Sequence, residues 1–212
     1  MTVQSLYNRF AKGVAEQLDG YGFVRDRGGR IFRRVSPQGD VAVVELQSSD
    51  HSSKEEKRFY INLALVLGPK WRSDNRRSNL PEDRPTRSSS GIWDSRLTYD
   101  TPGGNPWPSD QWCIADEQSL AEVSELVRQG LDEAVPELIR MLDREWLFAE
   151  APRFVGAAAG RMRAWILADR GPSGELDRLL EDENDDAELV ALIRDYANTR
   201  ASPGQDRDTS DA

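Results

Sequence analysis

The ten residues Arg58-Phe59-Tyr60-Ile61-Asn62-Leu63-Ala64-Leu65-Val66-Leu67 set the terms for the rest of the chain. Phe59, Ile61, Leu63 and Leu65 alternate with Tyr60, Asn62, Ala64 and Val66. A period of two puts each set on its own face of a strand. Both sets are largely apolar, so both faces need a cover, and the strand belongs in the middle of a sheet. Gly68-Pro69 ends the run.

The chain before it supplies neighbours for that strand. Leu6, Phe10, Val14 and Leu18 fall four apart, with Tyr7 and Ala11 beside them, which predicts an amphipathic helix from about Thr2 to Leu18. Gly20 and Gly22 supply its stop. Phe23-Val24 opens a strand, Arg27-Gly28-Gly29-Arg30 turns it, and Ile31 to Val35 returns. A second turn at Ser36-Pro37-Gln38-Gly39-Asp40 leads into a strand from Val41 to Ser48. Residues 68–91 are polar, with two prolines beyond Pro69 (Pro81 and Pro85), and read as a long loop or a disordered insertion. Ile92 to Tyr99 reads as a fifth strand, residues 101–108 as irregular, and Trp112-Cys113-Ile114 as a short last strand.

Helices dominate the remainder. Asp116 is a candidate N-cap. Leu120, Val123, Val127, Leu131, Ala134, Leu138 and Leu142 follow three-four spacing, with a kink or restart expected at Pro136. Pro152 is expected to open a further helix, whose Gly156–Gly160 stretch of small residues permits close approach of a neighbour. Ser173 starts a short helix, and Asp185 with Glu188 offers a capping box for a last one. From Arg200 the chain reads as a disordered tail. The expectation is an α+β fold: an antiparallel sheet of five or six strands, an N-terminal helix packed on it, and a C-terminal helical segment. The expected division is an α+β domain over 1–150, a helical appendage over 151–199 and the tail over 200–212.

The order of opening helix, Gly22-Phe23, Phe32-Arg33, Val43-Val44-Glu45-Leu46-Gln47-Ser48 and Phe59-Tyr60-Ile61-Asn62-Leu63 resembles bacterial proteins grouped as domain of unknown function 4304. The resemblance covers about residues 3–147 and is clearest over 3–67. It implies a cytosolic α+β domain and assigns no reaction. Phe59, Gln47 and Asn62 match recurring positions of that family.

Charge and composition narrow the function classes. The net charge of −9 is uneven: residues 1–100 hold 17 Lys+Arg against 13 Asp+Glu, and residues 101–212 hold 11 against 24. An acidic C-terminal half argues against general affinity for nucleic acid. The single cysteine, Cys113, excludes an intramolecular disulfide and a cysteine-rich zinc site. No run reaches the length of a membrane span, and the N-terminus lacks the apolar core of a signal peptide, so a cytoplasmic protein is expected.

Candidate sites carry two readings each. Glu45 and Gln47 share a strand face, as do Tyr60 and Asn62; together they form a polar patch for a peptide or small ligand, or they satisfy one another as buried polar groups must. Trp71, Arg72, Arg76 and Arg77 in the polar insertion, like the arginines of the 25–34 hairpin, hold phosphate or pair with acids of the same chain. Glu181, Asp182, Asp185 and Asp186 form a solvated turn or an acidic surface for a basic partner. A calcium loop is excluded there, since Ala187 and Ile193 stand where a glycine and a glutamate are needed. His51, the sole histidine, sits in a polar loop. No phosphate loop or nucleophile elbow occurs, and no catalytic, metal or cofactor residue is assigned. The favoured expectation is a non-catalytic cytosolic binding module with a protein partner, of the immunity-like or adaptor kind, presenting acidic helices. Nucleic-acid binding through the Arg-rich hairpin and loop, and an enzyme or small-ligand binder near Gln47 and Asn62, are the alternatives. No membrane partner is expected.

Overall fold

The computed structural model describes residues 2–81, 84–98, 110–155, 159–182 and 186–201. The expectations for Tyr99, residues 101–108, Gly156 to Ala158, Asp185 and the tail beyond 201 lie outside them. The chain forms two compact units. The first comprises Met1–Val66 and Thr86–Asp143, the second Leu67–Pro85 and Arg144–Ala212, in each case through their described residues. Before the C-terminal helices the division falls between Asp143 and Arg144. Part of the polar insertion also belongs with the C-terminal helices.

The first unit is a mixed α+β layer structure. Its elements are α1 (Val3–Gly20), β1 (Val24–Arg25), β2 (Ile31–Val35), β3 (Val41–Ser48), β4 (Lys57–Val66), β5 (Trp93–Arg96), β6 (Trp112–Ile114) and α3 (Glu117–Arg140), with α2 falling in the second unit. The sheet is antiparallel in the order β1-β2-β3-β4-β5, and β6 also pairs with β4. Asn62 to Leu65 take β5 as partner, and Lys57 to Phe59 take β6. The alternating run is thus the most heavily paired strand, as its two apolar faces require. Phe59 meets α1, and Ile61 and Leu63 share its face of the strand. Tyr7 stands edge-on to the Phe59 ring at 5.2 Å, and Phe10 lies 4.9 Å from it. Leu6, Phe10, Val14 and Leu18 are all buried. Gly22 takes φ 75, the left-handed conformation that lets the chain leave α1 and enter β1.

α3 starts at Asp116, whose carboxylate accepts from the Ser119 N–H while the Ser119 hydroxyl takes the Asp116 N–H, a full capping box. The helix then runs through Pro136 without a restart. Proline removes one backbone donor there. Val135 and Leu138 on either side are buried, and their packing holds the helix together.

The second unit is helical: α2 (Gly68–Arg77), α4 (Arg144–Val155), α5 (Ala159–Ala168), α6 (Gly174–Asp182) and α7 (Ala187–Ala201). Two expectations are corrected here. The insertion is not structureless: Gly68-Pro69 ends the strand and also opens α2, because proline suits the first turn of a helix. Ser88–Ser90 further along, in the first unit, makes a 3-10 turn. Pro152 does not open a helix; it lies inside α4. Trp165, Met162, Ile166, Leu176, Leu180 and Ile193 form this unit's core. No described helix is long and apolar enough to cross a membrane.

Candidate functional site

Strand register decides which polar side chains meet. Glu45 stands opposite Asn62, and Gln47 opposite Tyr60. Directly opposed residues share a face, so all four lie together on the side of the sheet away from α1. Arg96 joins them through its pairing with Asn62. The cluster is closed on itself. Asn62 Nδ2 donates to Gln47 Oε1 at 2.7 Å. Glu45 Oε2 accepts from the Ser88 N–H at 3.1 Å and the Ser88 hydroxyl at 2.5 Å. Gln111 Nε2 donates to the Tyr60 hydroxyl at 2.8 Å and to Ser49 Oγ at 3.2 Å. The Arg96 guanidinium lies 4.2 Å above the Tyr60 ring and bonds Asp110. The patch exists as a constellation, and its members already hold each other. Ser88, Gln111 and Arg96 had no signal in the sequence, because each comes from a segment far along the chain.

Cys113 on β6 is half-buried. Its thiol donates to Glu56 Oε2 at 3.4 Å. Burial first, then that carboxylate, push its pKa up to about 11, so at neutral pH it stays a thiol.

In the second unit Arg72 turns inward, while Arg76 and Arg77 stay exposed. Arg72 bonds Asp169 and the Tyr196 hydroxyl. Asp169, nine per cent exposed, also accepts from Arg144 at 2.8 Å and from the Tyr196 hydroxyl at 2.8 Å, with Arg200 at 3.3 Å. Burial alone raises a carboxyl pKa, but the bonds from Arg144 and Tyr196 and the charge of Arg72 outweigh it and hold Asp169 below its usual range. Trp71 Nε1 donates to the Arg84 carbonyl at 3.0 Å. Arg77 pairs with Glu188, and Arg76 lines a shallow groove of about 450 Å³ beside it. Glu181 is exposed, and the Asp186 carboxylate caps α7 through the Leu189 N–H at 3.0 Å. The Asp182 side chain and Asp185 lie outside the description.

The first unit also carries a groove of about 560 Å³ between α1 and α3. Phe10, Val14, Leu120 and Val127 make an apolar floor, and Gly13, Ala121 and Ser124 keep it open. A Cβ on Gly13 would meet nothing within 4 Å. Arg9 and Glu117 pair across one end at 2.6 Å; Gln17 and Arg128 meet Asp132 at the other. The outward face of α3 is acidic: the helix carries Glu117, Glu122, Glu125, Asp132, Glu133 and Glu137 against Arg128 and Arg140. Glu122 and Glu133 have no cationic partner among the described residues. A glycine in the middle of an otherwise regular amphipathic helix was the one sequence sign of this groove.

No curated protein and no solved structure matches the chain. The model of the family described as Domain of unknown function (DUF4304) matches residues 14–141, more than half of the 212, and spans the sheet, the polar cluster and all of α3. The protein therefore belongs to the DUF4304 family.

Proposed function

We propose that this protein is a non-catalytic binding module whose α1–α3 groove and acidic α3 face receive a basic, amphipathic segment of a protein partner. The observation that supports the reading is the groove itself, an apolar floor beside a helix with excess carboxylates. An apolar side chain of the partner fills the space above Gly13, and flanking Lys or Arg side chains meet Glu122, Glu125 and Glu133. Such a module acts as an adaptor or as an immunity-type inhibitor that covers a basic surface. The polar cluster at Gln47 and Asn62 then serves the fold, since its donors and acceptors are matched internally. The arginines at 33, 34 and 72 are likewise engaged within the chain, bonding the Thr86 carbonyl, the Tyr21 carbonyl and Asp169.

The test uses a synthetic helical peptide of leucine and lysine at three-four spacing, followed by fluorescence anisotropy. Saturable binding is expected, weaker by at least tenfold in Gly13→Leu, which fills the groove, and in a Glu122→Lys/Glu133→Lys double variant. Circular dichroism of Gly13→Leu should match the parent, given the open space at that position. Equal affinity of parent and Gly13→Leu would end this reading.

A further inference from the structure

At one end of the α1-covered sheet face, β3, β4, the bend before β2 and α1 bring together Ser48, Lys57, Arg30 and Tyr7. The Leu46 N–H donates to the Arg30 carbonyl, which places Arg30 beside β3. Ser48 stands opposite Phe59, one step of the same face from Lys57. The Arg30 guanidinium lies 6.0 Å from the centre of the Tyr7 ring, and Lys57 Nζ 5.5 Å from it. Arg30 also donates to Ser48 Oγ at 3.0 Å.

Two features of this cluster are not met by the fold. Neither Arg30 nor Lys57 has a carboxylate partner among the described residues, although two cations share one ring. The Tyr7 side chain is 2 % exposed, and its hydroxyl is buried with no hydrogen-bond partner. An unpartnered buried hydroxyl and two adjacent like charges each cost free energy in the empty protein. One ligand chemistry relieves both. A group with two negative charges and several acceptor oxygens takes the guanidinium fork, the ammonium and the phenol O–H together.

We propose that Arg30, Lys57 and Tyr7 form a binding site for the phosphate monoester group of a small ligand. The Lys57 ammonium agrees with this arrangement: burial first, and then repulsion from Arg30, hold its pKa below the usual lysine value. A bound dianion reverses the second effect. The site lies on the sheet's end and is separate in its residues from the α1–α3 groove, so either proposal stands without the other.

The experiment titrates the full chain with inorganic phosphate and with phenyl phosphate, followed by amide NMR shifts. Saturable shifts at residues 7, 30, 48 and 57, with a Kd below about 1 mM, are expected. Arg30→Gln and Lys57→Met should each weaken binding at least tenfold. Tyr7→Phe keeps the ring that packs on Phe59 and removes only the unpartnered hydroxyl. It should leave the thermal midpoint equal or higher while weakening phosphate several-fold. Unchanged phosphate affinity in Tyr7→Phe, or no saturation in the parent, overturns the proposal. A dT oligonucleotide that binds while both small phosphates fail, with shifts spread over Arg25, Arg27 and Arg30, overturns it in favour of a nucleic-acid surface.

Discussion

Asn62, 8 % exposed, donates to the exposed Gln47 at 2.7 Å, so losing Gln47 costs the buried partner its acceptor. Gln47→Leu should therefore destabilise the protein by about 1–3 kcal/mol, because it strands the Asn62 amide. The double change Gln47→Leu/Asn62→Leu should cost less than the sum of the single changes, a coupling that urea unfolding of the four-member cycle measures. Their pairing was legible in the sequence as far as the shared face, since positions 45 and 47 and positions 60 and 62 each repeat by two. That the pairs sit opposite each other needed the length of the 49–56 loop, which no local pattern fixes. Asp169 was not legible at all. It stands alone near the end of α5, and Arg72, Arg144, Arg200 and Tyr196 reach it from across the second unit. Asp169→Asn should cost about 1–3 kcal/mol at neutral pH, since it leaves the part-buried guanidinium groups of Arg72 and Arg144 without their carboxylate. The pH dependence has a definite sign. A carboxyl whose folded pKa is depressed contributes stability above its unfolded pKa and loses it as pH falls through the folded one. The gap between parent and Asp169→Asn should therefore narrow below pH 3.8, the ordinary value, as read by thermal unfolding across an acid series.

Among elements, α1 and α2 make opposite cases. The stripe of Leu6, Phe10, Val14 and Leu18 announced α1 because the buried face is apolar at helical spacing. The buried residues of α2 are Gly68, Pro69, Ser73 and Asn75, which carry no hydrophobic period, so a real helix read as a loop. Proline at 69, taken only as a strand breaker, was the sign that went unused. At Pro136 the restart that propensity argues for does not occur, and the helix runs on with Val135 and Leu138 buried. Gly13 belongs to this scale too. Glycine in a helix interior costs about 0.5–1 kcal/mol relative to alanine, and nothing in α1 or α3 occupies the space a Cβ would take. Gly13→Ala should therefore raise the stability of the free protein by about that amount, measured by chemical unfolding. The groove that glycine keeps open lies between helices roughly a hundred residues apart, which is why neither helix alone displayed it.

For the molecule as a whole, the charge asymmetry between the two halves resolves into a specific surface. Some basic residues of the first half are drawn into the structure, as at Arg33, Arg34 and Arg72, or stand over aromatic rings, as Arg30 does over Tyr7 and Arg96 over Tyr60; others, such as Arg27, Arg84 and Arg87, are exposed. Among the acids of α3, Glu117 and Asp132 line the groove, and Glu122 and Glu133 have no cationic partner among the described residues. Fold class followed from periodicity in the sequence; the pairing of both β5 and β6 with β4 did not, and neither did the grouping of Leu67–Pro85 with helices that begin at Arg144. The most direct test of the binding reading is an amide NMR map of the full chain titrated with the leucine–lysine helical peptide. Saturable shifts along Arg9 to Gln17 and Glu117 to Asp132, abolished in Gly13→Leu and weakened by added salt, are the predicted result. Shifts confined to other surfaces, or shifts at the groove that Gly13→Leu leaves unchanged, would contradict it.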